Sequence, residues 1–439
     1  MQESYASAVA AASSIAQEFV EATREDSPGA VRDVDRVLQG FLRWVGQDAF
    51  ANIVQRAAKE ACVSAKTPGM SVHRNCTVTY DCIFGPVEVD SPYLYDRKTG
   101  QSSRPVQDVL GIRDGGRSST VERVLTDFGA EDSFGQAANR FEEHYGWHVD
   151  RGSVRRVTRK IAADIEQWVA SRLESEEAAF SESLAARPGA DQMLSEQDGS
   201  MVRTGVSSPM PQEETTPVRG VRRSQREERW REERVGVTRQ LDQPDAIYVA
   251  AMTGYPDLTR RLFGAAVSCG LSSRSETICI GDGANGLMEE MLSQFPNAMF
   301  ILDRPHLVSH VHETAEEMGL VDDARADWVN QLMARIDRGE VGHAIAELRV
   351  HHAQGHDRAR RLMGYLDRLR NCVHYDAYRK RGLPIGSGEV ESAHRSIPQK
   401  RLKLPGACWH PDSINPMLAL RVLRANDWWH EFWEQRTAA

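Results

Sequence analysis

Two short apolar runs each end in a carboxylate: Asp282 follows TICIG and Asp303 follows MFIL. In open α/β sheets, functional groups gather at the carboxyl ends of strands. Carboxylates that converge there suit hard, oxygen-preferring divalent ions such as magnesium. A third acid, Asp198 in SEQDGSMV, sits at a strand-turn-strand start. In GLPIGSGEVESAHRSIPQKRLKLPGACWH, Gly386 and Gly388 precede a helix carrying Glu389, Glu391, Arg395, Lys400, Arg401 and Lys403. A carboxylate at the start of a helix with basic residues beyond it can serve a metal ion and phosphates together. A strand-end Asp is also an ordinary N-cap for the helix that follows, and for any one acid that use is the commoner one. Three acids on one sheet, with a later carboxylate, shift the balance towards a site.

The elements that must hold these acids are legible from residue 233 onward. ERVGVT and DAIYVAAM read as strands, LTRRLFGAAVSCG as a helix, ETICIG as a buried strand, NGLMEEMLSQF as a helix and NAMFIL as another strand. Residues 320–382 read as wholly helical, with Val329, Leu332, Met333 and Ile336, then Ala344, Ile345 and Leu348, at helical spacing. Residues 205–224 hold three prolines and read as a loop. The adjoining RRSQREERWREER mixes six arginines with four glutamates and reads as a solvated helix.

Upstream, residues 1–66 read as helical, from Val9, Ile15, Ala16, Phe19 and Val20 and then Val34, Val37, Leu38, Phe41, Leu42 and Val45. Residues 67–105 read as a small β element, because Val78, Tyr80, Cys82 and Phe84 alternate, with Gly85-Pro86 as its turn. Residues 106–185 carry SSTVERVLTDFG, ending at Gly129, then SFGQAANRFEEHYG, closed by Gly146, then WHVDRGSVRRVTRKIAADI. Helix, short glycine turn and basic helix is the layout of a helix-turn-helix. Arg151, Ser153 and Arg155 are then the base-reading candidates, and Arg156, Arg159 and Lys160 extend the basic surface towards phosphates. A helical bundle with a solvated basic face buries the same Val154, Val157 and Ile161 stripe and stays open as the alternative.

The chain of 439 residues has room for two to four domains. No apolar run approaches the ~20 residues that span a bilayer. The N-terminal stretch lacks the basic-then-apolar layout of a signal peptide, so a cytoplasmic protein is expected. Seven scattered cysteines, with no CxxC pair, argue against a disulfide framework or a four-cysteine zinc site. A net charge of −9 argues against a uniformly basic coat but not against a local basic groove.

In order, DGSMV, GDGANGL, LDRPHLVSH and PIGSGEVESAHRSIPQKRLKLPGACW resemble bacterial insertion-sequence transposases of the Kra type, over roughly residues 70–435. RWREERVGVT is similar to that family's Trp-Arg-Glu strand start. The resemblance implies an α/β fold with an RNase H-like core in two parts, 190–319 and 383–439, interrupted by a helical insertion at 320–382. It implies an Asp-Asp-Glu enzyme with Asp198, Asp282 and Glu391 as catalytic metal ligands and Asp303 and His306 as accessory residues. A polar first-turn histidine is the alternative for His306, and His310 reads as structural. Two magnesium or manganese ions would drive in-line displacement at phosphorus, giving DNA strand cleavage and strand transfer. Arg395, Lys400, Arg401 and Lys403 would grip the DNA backbone, and Trp409 reads as core. The implied partners are transposon ends and target DNA, bound by a homo-oligomer, with no membrane. Relatives carry paired cysteines of a zinc element before the helix-turn-helix. Here Cys62, Cys76 and Cys82 form no close pair, so zinc is not expected. Two other functions stay open: a transposase-derived DNA-binding protein that no longer transposes, and a nuclease on the same core.

Overall fold

In the computed structural model, which describes residues 2–23, 30–111, 116–182, 189–209 and 224–438, the chain is mixed α/β. It divides into two units, Met1–Thr158 and Arg159–Ala439.

The first unit begins with α1 (Gln2–Thr23) and α2 (Ala30–Ala65). Then come β1 (Met70–Arg74), β2 (Thr77–Cys82), β3 (Gly85–Asp90), β4 (Tyr93–Asp96), β5 (Ser102–Ser103), α3 (Pro105–Leu110) and β6 (Gly116–Arg117). These strands make two small sheets, β1-β4-β5 and β3-β2-β6. Strict alternation along β3 turns Val87 and Val89 inward, where they pack with Val54 and Ala58 of α2, Cys82 and Val106. The hairpin turn is not Gly85-Pro86. Cys82 pairs with Gly85, so Ile83 and Phe84 make the turn and Gly85 opens β3. At a φ of 142°, with Gln47 Nε2 2.9 Å from where a Cβ would sit, that position needs glycine for space as well as conformation.

Three helices follow: α4 (Ser119–Glu131), α5 (Phe134–Tyr145) and α6 (Arg151–Glu182), the last reaching into the second unit. Ser118 caps α4 through the Val121 N–H, and Ser133 caps α5 through that of Gln136. Gly146, at φ 69°, closes α5 as expected. Gly129 does not end α4, which runs on to Glu131. Its role is close approach: a Cβ there would lie 2.2 Å from Thr158 Oγ1 on α6.

The second unit is built on one five-stranded sheet. Its elements are β7 (Gln192–Pro209), β8 (Ser224–Gln240), β9 (Ile247–Ala251), α7 (Tyr255–Ser268), β10 (Glu276–Gly281), α8 (Leu287–Gln294), β11 (Ala298–Leu302) and α9 (Arg304–Glu317). The strand order is β11-β10-β7-β8-β9. β7, β8 and β9 form an antiparallel meander, while β10 and β11 run parallel to β7. β10 is buried almost throughout, as its unbroken apolar run requires for a central parallel strand.

Residues 205–209 belong to β7 rather than to a loop, and residues 210–223 of that expected loop lie outside the described residues. From Ser224 on, the arginine-glutamate run is likewise strand, not solvated helix. Met201 pairs with Glu232 and Val206 with Glu227 along a two-stranded ribbon. Its near-balanced charge is used at the spacing of two that shares a strand face, in the pairs Arg229–Glu227 and Arg234–Glu232, and across strands in Arg203–Glu228. Pairing with β7 overrides local helix propensity here.

Residues 320–382 contain α10 (Asp322–Asp337), α11 (Val341–Ala353), α12 (Asp357–Arg368) and α13 (Tyr375–Lys380), with one 3-10 turn and no strand. The chain then forms α14 (Gly388–His394), a π turn, α15 (Lys400–Leu402), α16 (Ile414–Ala425) and α17 (Trp429–Ala438). No helix among the described residues is long and apolar enough to cross a membrane.

Candidate functional site

Strand register sets three acids at one level. Ile280 of β10 pairs with Glu196 of β7, and Gly281 with Leu302 of β11. Two residues on from the first pair lie Asp282 and Asp198; one residue on from the second lie Asp282 and Asp303. Neighbouring strands are about 4.8 Å apart, so the three acids follow one another across adjacent parallel strands. The capping role open to each from sequence is not the one taken. Asp198 is inside β7, and α8 is capped by Gly286. Asp303 holds the N-cap position of α9 without a side-chain cap bond.

Asp282 accepts the Ala284 N–H at 2.8 Å, while Tyr365 of α12 donates to its backbone carbonyl. Arg368, also on α12, donates to the Gly283 carbonyl, so the helical segment braces this loop. Asp303 is buried and its Oδ1 accepts the Ser387 N–H at 3.4 Å. Burial pushes its carboxyl up, Ser387 and His306 oppose this, and the charge of Glu391 adds to it. The Arg304 N–H donates to the Ile385 carbonyl at 3.0 Å. Together these bonds tie the glycine loop to the end of β11 and deliver α14 to the sheet.

Helix α14 meets β7 through a side chain that sequence reasoning did not single out. His394 Nε2 lies 3.4 Å from Asp198 Oδ2, and its Nδ1 lies 3.6 Å from Glu233 Oε1 and 3.3 Å from Ser200 Oγ. Ser200 also donates to Glu233, and Lys403 Nζ donates to Ser200 Oγ at 2.7 Å. Glu233 is 0% exposed and His394 4%. Burial pushes the His394 imidazole down, but the Asp198 and Glu233 carboxylates outweigh it and lift it to about 9. His394 is therefore an imidazolium at neutral pH, and it offsets a carboxylate that has no access to water. Glu391 lies three residues before His394, on the same helical face and exposed.

The other two glutamates here are committed elsewhere. Glu389 makes a bidentate ion pair with Arg239, at 2.6–3.0 Å. Glu196 is buried and accepts the Val390 N–H at 2.9 Å. Burial pushes its carboxyl up to about 8 despite that bond, with the Glu389 and Asp303 charges adding to the effect. His306 and His310 share a hydrogen bond of 3.0 Å between their Nε2 atoms, so one ring must donate to the other. Burial and His306 hold His310 below the ordinary imidazole range. Among the described residues, no three His, Cys, Asp or Glu side chains stand close enough together to hold a metal ion.

The basic residues divide. Arg395 and Lys400 are exposed. Lys403 is turned onto Ser200. Arg401 is only 3% exposed, with its guanidinium 4.7 Å from the ring centre of Trp409, so it is not available to a DNA backbone. Trp409 itself is buried, and its main chain pairs with Arg203 and Gly205 of β7.

In the first unit, Asp150 caps α6 by accepting the Gly152 and Ser153 N–H groups at 2.8 and 3.0 Å. Ser153 is 4% exposed, and its hydroxyl is shared among Asp150, Arg117 and Arg156. It therefore stabilises the helix start and is not placed to read a base. Arg151, Arg155, Arg156, Arg159 and Lys160 are all exposed along α6, and Val154, Val157 and Ile161 are buried. If Arg159 grips a phosphate, Arg159→Ala flattens the slope of log K against log salt by about one unit. A slope and affinity unchanged across a salt series would assign the arginine to a solvated face.

Compared with known proteins, the chain matches no family model and no curated protein.

Proposed function

We propose that this chain is a DNA transposase of the Asp-Asp-Glu kind, cleaving and joining DNA strands with magnesium or manganese on an RNase H-like core. One observation carries the reading: Asp198, Asp282 and Asp303 share a level along or just past three adjacent parallel strands, and the helix that contacts Asp198 through His394 carries Glu391, whose charge acts on Asp303. The strand order supports it too. A central β7 has an antiparallel pair on one side and a parallel pair on the other, and a helical segment precedes the glutamate-bearing helix.

Asp198, Asp282 and Glu391 offer only oxygen donors and all reach solvent, so their chemistry fits a hard divalent cation, although the carboxylates are not gathered into a cage. Bound there, such ions would supply activation of a water or 3′-hydroxyl and stabilise the leaving oxygen at phosphorus. The chain's own residues do the positioning. His394 stands against one Asp198 oxygen and fixes where that carboxylate sits. Arg239 removes Glu389 from competition, leaving Glu391 as the available acid of α14. Asp303 anchors the loop ahead of α14. His306, one turn into α9, acts as an accessory polar group beside Asp303. Arg395 and Lys400 meet backbone phosphates, while the basic start of α6 reads or grips duplex DNA. Two transposon ends must be held together, which calls for a homo-oligomer on DNA.

The test uses the full chain and a supercoiled plasmid carrying the DNA that flanks its gene, with MgCl2, MnCl2 or EDTA. The proposal expects cuts at terminal repeats and joined products with either metal, and neither product in EDTA. Cleavage without joining would replace transposition by a nuclease activity. Binding without cleavage would leave a DNA-binding protein only.

A further inference from the structure

The small sheet β1-β4-β5 carries a face that the proposed chemistry does not use. Its register fixes which side chains share that face. Leu94 and Asp96 of β4 are buried on one side, so Tyr93 and Tyr95 lie on the other. Ser71 pairs with Tyr95, and Arg74 with Tyr93 across an irregularity that leaves His73 as the extra residue. The His73 ring stands edge-on to both tyrosines, with centroids 5.9 Å from Tyr93 and 5.7 Å from Tyr95. Ser102 of β5 pairs with Tyr95, and two residues on, Arg104 lays its guanidinium 5.5 Å from the Tyr93 ring centre.

The charge of this sheet runs against that of the chain, in which 63 acidic residues outnumber 54 basic ones. The three strands contain one carboxylate, Asp96, and it is turned away. Its Oδ1 accepts the Lys98 and Thr99 N–H groups at 2.8 and 3.4 Å, closing the turn between β4 and β5. Arg74, Arg97, Lys98 and Arg104 make no ion pair among the described residues, and all four are exposed. An acidic protein that concentrates unpaired cations around two tyrosines offers a surface complementary to a polyanion with flat, stackable groups.

We propose that this face binds an unpaired DNA strand, with Arg74 and Arg104 on its phosphates and a base stacked on Tyr95. Half-buried tyrosines on an open sheet suit single strands, because every unpaired base exposes a π face and duplex bases do not. The proposal rests on the reading of the chain as a DNA-acting protein but not on its catalytic step, and it is measured without metal.

The experiment titrates the full chain in EDTA against a fluorescein-labelled 20-nucleotide oligothymidylate and, separately, a 20-base-pair duplex. Arg74→Ala/Arg104→Ala is expected to weaken single-strand binding and to flatten its salt slope by about 1.4, at about 0.7 per lost phosphate contact. Tyr95→Leu is expected to weaken single-strand binding at least about fivefold with the slope unchanged. Duplex binding should be unaffected by both variants and reduced by Arg159→Ala. Circular dichroism matching the parent chain establishes that each variant is folded, and the arginine pair, being exposed, serves where Tyr95→Leu does not fold. Single-strand affinity and slope unchanged in the folded arginine variant would overturn the proposal. So would absence of single-strand binding by the parent chain, even with metal-dependent cleavage intact; loss of cleavage alone would count only against the transposase reading.

Discussion

Asp282→Asn is expected to lower DNA strand cleavage by about 10³-fold, equivalent to roughly 4 kcal/mol of transition-state stabilisation. The substitution is nearly isosteric. An asparagine oxygen can still accept the Ala284 N–H that Asp282 accepts now, and the Tyr365 bond goes to the main chain, so the loop keeps its shape. What is lost is one negative charge at the end of β10, where a hard cation would be held. Affinity for DNA and its salt dependence should stay near those of the parent. Glu389→Gln gives the contrast. It weakens a bidentate pair with Arg239 but removes no proposed metal ligand, so cleavage should persist at a rate well above that of Asp282→Asn. Quantitative cleavage of end-labelled DNA measures both. Cleavage by Asp282→Asn at the parental rate would rule out this carboxylate as a ligand.

The second large effect is on stability. His394→Ala leaves Glu233 buried without its cationic partner and takes the imidazolium from Asp198. Removing one member of a buried ion pair typically costs roughly 3–5 kcal/mol, because the remaining charge is neither solvated nor paired. Denaturant unfolding in EDTA measures this, free of any contribution from bound metal. The double variant His394→Ala/Glu233→Gln removes the stranded charge as well. It should therefore be more stable than His394→Ala alone, a non-additivity that reports direct coupling. If the single variant unfolds at the parental midpoint, the network does not anchor α14 to the sheet.

The parts of this molecule legible in its sequence are those set by local pattern. The strands before Asp282 and Asp303 are short apolar runs, the residues 320–382 keep a helical period, and Gly146 supplies the left-handed turn that closes α5. Other features depended on partners distant in the chain. Residues 224–232 are rich in arginine and glutamate, both good helix formers, and only pairing with β7 makes them strand. Gly129 looks like a helix stop until Thr158 is seen against it. Ser153 and Arg401 are polar residues in basic, outwardly exposed sequences, yet the Asp150 cap and the Trp409 ring enclose them. The pairing of Glu233 with His394 left one local trace. His394 lies about one helical turn after Glu391, on the same face of α14.

Iron-directed self-cleavage reads out whether three acids far apart in sequence share one divalent ion site. Ferrous ion substitutes for magnesium at oxygen-donor sites, and with ascorbate and peroxide it generates radicals that cut the backbone close to the bound ion. The expected result is a set of cuts clustered near Asp198, Asp282 and Glu391, suppressed together by excess magnesium and lost together in Asp282→Asn. Cuts near only one of the three, or cuts that magnesium does not suppress, would contradict a shared site.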